Sequence, residues 1–295
     1  MDKRQRYLDA AVTDTADQPV DTIIDAHTHI GQVRVDDLPV TPERLIEYMD
    51  DHSVDRAIVH PLESPLASSY YVTTRDVLDA AARYPERIIP FCSVDPRMYY
   101  RWGKEKYETV IRRYVERGAR GFGELKCDLP IDHEHMHVLY EICNSEELPV
   151  LIHIDDFCCT DEVGLPALEG IVRQYSDVDF VLHAPGWWAH ISADATQTGG
   201  YPSGPVEPGG RCDELLSAYD NLYADFSMTS GFNALTRDEE YGQRFVKRHH
   251  ESLIFGSDYL YPDQPVMQFG FFSEFDIPTD AWKNICYRNI ESILR

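Results

Sequence analysis

Basic residues are scarce in this 295-residue chain: Lys and Arg number 27 against 51 Asp and Glu, a formal charge of −24. Arginine greatly outnumbers lysine. Such a surface repels nucleic-acid phosphates and anionic membranes, so neither is an expected partner. The imbalance resembles that of acidic, lysine-poor proteins from salt-adapted organisms, where ionic screening offsets self-repulsion. Long hydrophobic runs are missing too, and none approaches the ~20 residues that a membrane-spanning helix needs. The basic start, Met1-Asp-Lys-Arg-Gln-Arg, has no apolar signal core after it. A soluble, cytoplasmic protein is the expectation. No C-x-x-C pair occurs among the seven cysteines, at 92, 127, 143, 158, 159, 212 and 286. This odd, scattered set argues against a disulfide framework or a structural zinc site. Reduced thiols are expected, the adjacent Cys158-Cys159 included.

What the chain does contain is an alternation of apolar runs and amphipathic stretches. The runs cover 22–27, 56–60, 87–93, 119–126, 149–154, 178–183, 221–226 and 252–258. Helix-like segments lie near 42–52, 73–84, 104–117, 133–147, 164–175, 211–219, 236–249 and 279–294. Eight strands interleaved with helices predict a single α/β domain, a (β/α)8 barrel of the TIM type, over 22–295. Turn chemistry agrees: Pro42 suits a helix N1 position, Asp132 a cap after Pro130, and Gly118 a helix end. Residues 1–21 are polar and without periodicity, which predicts a loosely attached arm. Residues 184–211, rich in glycine and proline, form a long connection that would sit over the site after strand six.

Ligand-type residues close four of the runs. Asp25-Ala-His27-Thr-His29 puts two imidazoles two apart, hence on one face of an extended chain. His153 ends Pro149-Val-Leu-Ile-His, His183 ends Phe180-Val-Leu-His, and Asp258 ends Leu253-Ile-Phe-Gly-Ser-Asp. Their placement at the strand ends of a parallel barrel predicts a metal centre at its mouth. On the fourth run Glu124 and Lys126 also share a face, as barrel-lining residues or as a carboxylate and a modifiable lysine at the centre. Trp187, Trp188 and His190, which open the 184–211 segment, are candidates for the substrate pocket. His60 closes run two, and Asp225, in Tyr223-Ala-Asp-Phe, is a candidate partner for a ligating histidine. His133 and His137 are read as a solvated first helical turn.

The Asp25-Ala-His-Thr-His stretch, the strand-end histidines and Phe255-Gly-Ser-Asp258 together resemble the amidohydrolase superfamily. More narrowly, they are similar to its amidohydrolase-2 branch, which includes aminocarboxymuconate-semialdehyde decarboxylases. The closing Asn284-Ile-Cys-Tyr-Arg-Asn289-Ile290 resembles that branch's last helix, although Ile290 stands where Ala is usual. The resemblance implies one or two divalent metal ions, zinc foremost, held by His27, His29, His153 and Asp258, with Glu124 joining them. It implies His183 as a further ligand or a polariser of the substrate carbonyl. A metal lowers the pKa of bound water from 15.7 to about 7, and Asp258 would orient that water and relay its proton. The expected activity is hydrolysis of a small amide, ester or lactone; the alternative is metal-dependent nonoxidative decarboxylation of a small unsaturated or aromatic acid. A homo-oligomer is compatible with the exposed aromatics of 184–211.

Overall fold

The computed structural model describes residues 2–11, 18–64 and 68–294. Its strands are β1 (Ile24–Thr28), β2 (Arg56–Val59), β3 (Ile88–Pro90), β4 (Phe122–Leu125), β5 (Val150–His153), β6 (Phe180–His183), β7 (Leu222–Asp225) and β8 (Leu253–Ile254). Strands β1-β2-β3 and β4-β5-β6-β7-β8 pair in parallel in those orders. A parallel bridge between Cys92 and Phe122 joins the two sets, and one between Thr28 and Tyr259 closes the ring. The result is a TIM barrel.

The helices are α1 (Lys3–Asp9), α2 (Pro42–Asp51), α3 (Thr74–Arg83), α4 (Tyr99–Glu116), α5 (Glu134–Ser145), α6 (Pro166–Gln174) and α7 (Ala184–Ala189). They continue as α8 (Arg211–Ala218), α9 (Met228–Thr236), α10 (Glu239–His249), α11 (Phe271–Glu274), α12 (Thr279–Lys283) and α13 (Asn289–Ile293), with a π-helical turn over Asn284–Arg288. Local chemistry sets several ends. Thr41 accepts from Arg44 N with Pro42 at N1, and Thr73 and Asp76 make a reciprocal capping box. Gly118, at φ 107°, ends α4: its N–H bonds Val115 O while Ala119 N bonds Tyr114 O. That pattern needs a left-handed residue, which glycine supplies without strain. The expected cap at Asp132 moves by one residue, to His133, whose Nδ1 accepts from His135 N. Among the described residues, no helix is long and apolar enough to cross a membrane.

Two apolar layers result. Ile24, Ala26, Ile58, Ile89, Phe91, Leu151, Val181 and Ile254 fill the barrel interior, and Ile290 and Ile293 join them. The π turn and α13 therefore plug the N-terminal end of the barrel. Asn289 anchors the plug by donating to Leu253 O and His250 O, and Phe255 N bonds Ile285 O. The second, larger layer lies between strands and helices.

The N-terminal arm is not loosely attached over the residues described. Tyr7 of α1 is fully buried, edge-on to Phe232 and Phe271 at 5.1 and 5.4 Å. Gly270 allows this approach, because a Cβ there would lie 2.1 Å from Tyr7 O. Residues 12–17 of the arm lie outside the described residues. All seven cysteines are free and buried.

Candidate metal centre

Strict alternation along β1 would defeat the site. Ile24 and Ala26 face the interior, so His27 and His29 should point outward. Pairing with β2 runs Ile24 to Arg56 and Asp25 to Ala57, but then Thr28 to Val59, so β1 carries one extra residue. This bulge reverses the phase and turns both imidazoles into the barrel mouth. Asp25 fastens the bulge. It accepts from His27 N, Ser257 N and the Tyr48 hydroxyl at 3.2, 2.9 and 2.8 Å. Burial pushes its carboxyl up to about 6, against the pull of those donors.

Each imidazole is oriented through Nδ1. That of His29 donates to His60 O at 2.9 Å, and that of His27 meets Asp225 Oδ2 at 2.8 Å. A carbonyl can only accept, so in the neutral His29 ring Nε2 carries the lone pair; the Asp225 carboxylate fixes His27 likewise. Both Nε2 atoms are sealed from water and have no hydrogen-bond partner. They face carboxylates instead. Glu124 Oε2 lies 3.8 and 3.6 Å from the Nε2 atoms of His27 and His29, and Asp258 Oδ1 lies 3.6 and 3.3 Å from them. With both Nδ1 atoms engaged, two Nε2 atoms and two carboxylates converge, which is the donor set for a divalent cation.

A second set adjoins the first. Glu124 Oε1 reaches His153 Nδ1 at 2.8 Å, and His183 Nε2 lies 3.6 Å from Asp258 Oδ2. Three groups have ligand atoms close enough to share an ion: His27, His29 and Glu124; His27, His183 and Asp258; and Glu124, His153 and His183. Glu124 thus contacts both sets, one oxygen toward each. It can do so because β4 runs tight against β5 at Gly123, where φ is +134° and a Cβ would stand 2.6 Å from Leu151 O. Lys126 follows, half-buried, with Glu124 and Asp258 leading the charges it senses.

The electrostatics call for positive charge. Burial alone would raise the carboxyls of Glu124 and Asp258. Lys126, His153 and His27 around the first, and His27, His29 and His183 around the second, hold both below the usual carboxylate range. Burial disfavours a charged His27, yet Asp258 and Asp225 outweigh it and push that imidazole well up. His60 is pushed the other way, to about 3, by burial and by His27 and His29. Its Nε2 is tied to Ala26 O at 2.9 Å, so it serves as scaffold.

The supporting residues were only partly visible in the sequence. Asp225 takes Nδ1 of both His27 and His183, at 2.8 and 3.0 Å, and also accepts from Ser227 N. Sequence reasoning missed Ser227, which contacts His183 Nδ1 at 2.9 Å, and Asp155, which contacts His153 Nε2 at 2.9 Å. For Asp155 the signal was its place two residues beyond a strand-end histidine. Trp187, Trp188 and His190 supply no ligand atom to these three groups. Trp188 packs on Phe245 and donates to Asp225 O, while His190 is held between Gly186 O and Gly164 N. Trp187 is fully buried. Their contacts are those of packing residues beneath the 184–211 segment. His133 and His137 also stand apart: His137 bonds the Tyr175 hydroxyl.

A family model described as Amidohydrolase matches residues 24–295. No curated protein matches the sequence. Among solved structures, a TIM-barrel protein of Bordetella bronchiseptica is 15% identical, with 92% of this chain and 98% of that chain covered and a TM-score of 0.68. A probable 2-pyrone-4,6-dicarboxylic acid hydrolase of Acinetobacter baumannii, with citric acid bound, is 14% identical over 92% and 99% of the two chains, TM-score 0.60. A 5-carboxyvanillate decarboxylase of Novosphingobium aromaticivorans, complexed with manganese and a nitrobenzoic acid, is 17% identical over 85% and 79%, TM-score 0.53. At these identities the likeness is one of fold. The family model spans nearly the whole chain, and the chain belongs to the amidohydrolase-2 family.

Proposed function

We propose that the protein is a metal-dependent hydrolase of a small amide, ester or lactone. The observation that carries this reading is Glu124, whose two oxygens face two adjoining groups of imidazole and carboxylate donors. His27, His29, Glu124 and Asp258 would hold one divalent ion, and Glu124, His153 and His183 a second. Imidazole-rich donor sets suit zinc; manganese, bound by the Novosphingobium decarboxylase, is the alternative. The ion, when bound, acts as a Lewis acid that acidifies water and polarises a carbonyl.

The chain's own residues supply the rest. Asp258, ionised and facing both sets, accepts the proton of the attacking water at Oδ1 or Oδ2 and returns it to the leaving oxygen or nitrogen. Asp225 and Ser227 hold the His183 ring by its Nδ1 edge, which leaves Nε2 as its ligand atom for the second ion. Asp225 also fixes His27, so one buried carboxylate orients two imidazoles. Elemental analysis of purified protein, followed by a panel of lactones, esters, amides and aromatic or enoic acids, tests the reading. Two ions per chain with turnover of a lactone, ester or amide supports it. A single ion with carbon dioxide released from an acid would replace it by decarboxylation.

A further inference from the structure

The N-terminal ends of the strands, opposite the metal centre, hold a cavity of about 310 Å³ around the start of β3. Its charged lining is Arg56, Arg117 and Arg120, with no carboxylate beside them, in a chain whose acids far outnumber its bases. The strand pairing explains this gathering. Ala57 N bonds Arg87 O at 2.8 Å on one side of β3, and Arg120 N bonds Pro90 O at 2.9 Å on the other. Arg56 and Arg120 therefore flank that short strand from its two neighbours. Arg117 joins them from the end of α4, where Gly118 turns the chain toward β4. The wall between them is apolar, with Leu78 and Ala81 of α3 and Ile88 of β3 all buried. The guanidiniums are not equally engaged. Arg117 is held by Asp79 at 2.8 Å. Arg56, half-buried, makes no ion pair among the described residues. The carboxylate next to it is taken, Asp55 accepting from Ile23 N at 2.8 Å, and so is Asp50, held by Arg87 at 2.8 Å. Like charges round an apolar hollow repel one another. An anion seated among them relieves that repulsion and offsets the desolvation of Arg56.

We propose that this cavity is an accessory binding site for a small acid with an aromatic body, separate from the metal centre. Arg56, with Arg120 across the strand, meets the carboxylate, because a planar guanidinium matches that group with two parallel hydrogen bonds. The ring lies on Leu78, Ala81 and Ile88, and a guanidinium face suits its edge of the cavity. The volume is at the lower end of the roughly 300 to 1,000 Å³ usual for ligand pockets. The two sites stand at opposite ends of the strands: Arg56 begins β2 and Arg120 precedes β4, whereas the metal-ligand residues stand at or beyond the C-terminal ends of theirs. Occupancy of the cavity is therefore independent of the reaction carried out at the mouth.

The probes are para-fluorobenzoate and para-fluorobenzamide, which share a ring and differ in charge; fluorine NMR titration reads the dissociation constant of each. Both are titrated into metal-loaded wild type, Arg56→Gln and Ala82→Phe, with the fold checked by circular dichroism. Ala82 lines the cavity from the exposed side of α3, so phenylalanine there fills the hollow while every arginine stays in place. The expected result is saturable binding of the benzoate to wild type, roughly 10-fold or more tighter than the benzamide. Arg56→Gln and Ala82→Phe should each lose that affinity by a similar factor. Wild-type affinity retained in either folded variant would put the bound acid elsewhere, the metal centre included, and overturns the proposal. So does equal affinity for the amide, or no saturable binding to wild type. Inorganic phosphate is the competitor that separates charge from ring. If it displaces the benzoate at equal concentration, the site reads charge alone, and the aromatic ligand assigned to it is wrong.

Discussion

Replacing His27 or His29 by alanine removes one of two buried Nε2 atoms that have no hydrogen-bond partner. Each variant should keep the barrel, seen by circular dichroism, and lose metal, seen by elemental analysis; normal metal content would show that these rings are not ligands. Asp225→Asn is a finer probe. The carboxylate accepts from both His27 and His183, whereas an amide offers one acceptor and one donor. One imidazole then faces the donor and shifts its proton to Nε2, the nitrogen turned toward the metal. Metal affinity should fall roughly 10- to 100-fold, read by chelator competition, and unchanged affinity would rule out tautomer control by Asp225. Asp258→Asn retains the shape of the site without the base. Turnover should drop at least ~10²-fold in a folded, metal-bearing protein, and near-normal kcat would mean another group takes the proton.

The strands were legible because parallel barrel strands are buried on both faces and read as near-continuous apolar runs. Each observed strand falls inside its expected run except β1, which extends one residue past 22–27 to Thr28, and His153 and His183 end theirs as anticipated. Two things were hidden for the same reason, that they depend on residues remote in sequence. The bulge between Asp25 and Thr28 is set by pairing with β2 and by Ser257 and Tyr48 on Asp25. The docking of α1 depends on an aromatic pocket made by Phe232 and Phe271. No local pattern announces either. The helices α7, α9 and α11 were also unforeseen; α7 and α11, of six and four residues, are too brief for a 3.6-residue period to emerge.

The 184–211 segment is an element with firm ends. Its first turns are sealed by Trp187 and Trp188, and Glu207 N bonds Ser192 Oγ near its close. Between these ends, Thr198 contacts Asp156 on the connection after β5, and Tyr201 is exposed. Movement, if the segment gates the site, belongs to this middle part. Trimming residues 197–208 should change KM or kcat in an oligomer of unchanged size, measured by steady-state kinetics and light scattering. A lost oligomer with intact kinetics would make the segment an assembly contact instead.

At the scale of the whole molecule, the charge of −24 predicts a strong response to salt. The Debye length shrinks from about 30 Å at 0.01 M to about 3 Å at 1 M, so self-repulsion across the surface fades over that range. Tm should rise steadily as KCl is added, followed by differential scanning fluorimetry, and a flat profile would show the excess acid to be thermally neutral. The exposed large apolar side chains are unevenly spread. Val35, Leu38, Tyr70, Tyr71, Phe157, Val163 and Tyr201 all lie on connections leaving the C-terminal ends of strands, the same end as the metal centre.

The opposite end is closed by Ile290 and Ile293 beneath the interior layer. A vessel corked at its base has one doorway. On the proposed reading, substrate comes in and product goes out by the route that the 184–211 segment borders. Traffic through such a site is sequential: a lingering product is also a barricade to the substrate that follows.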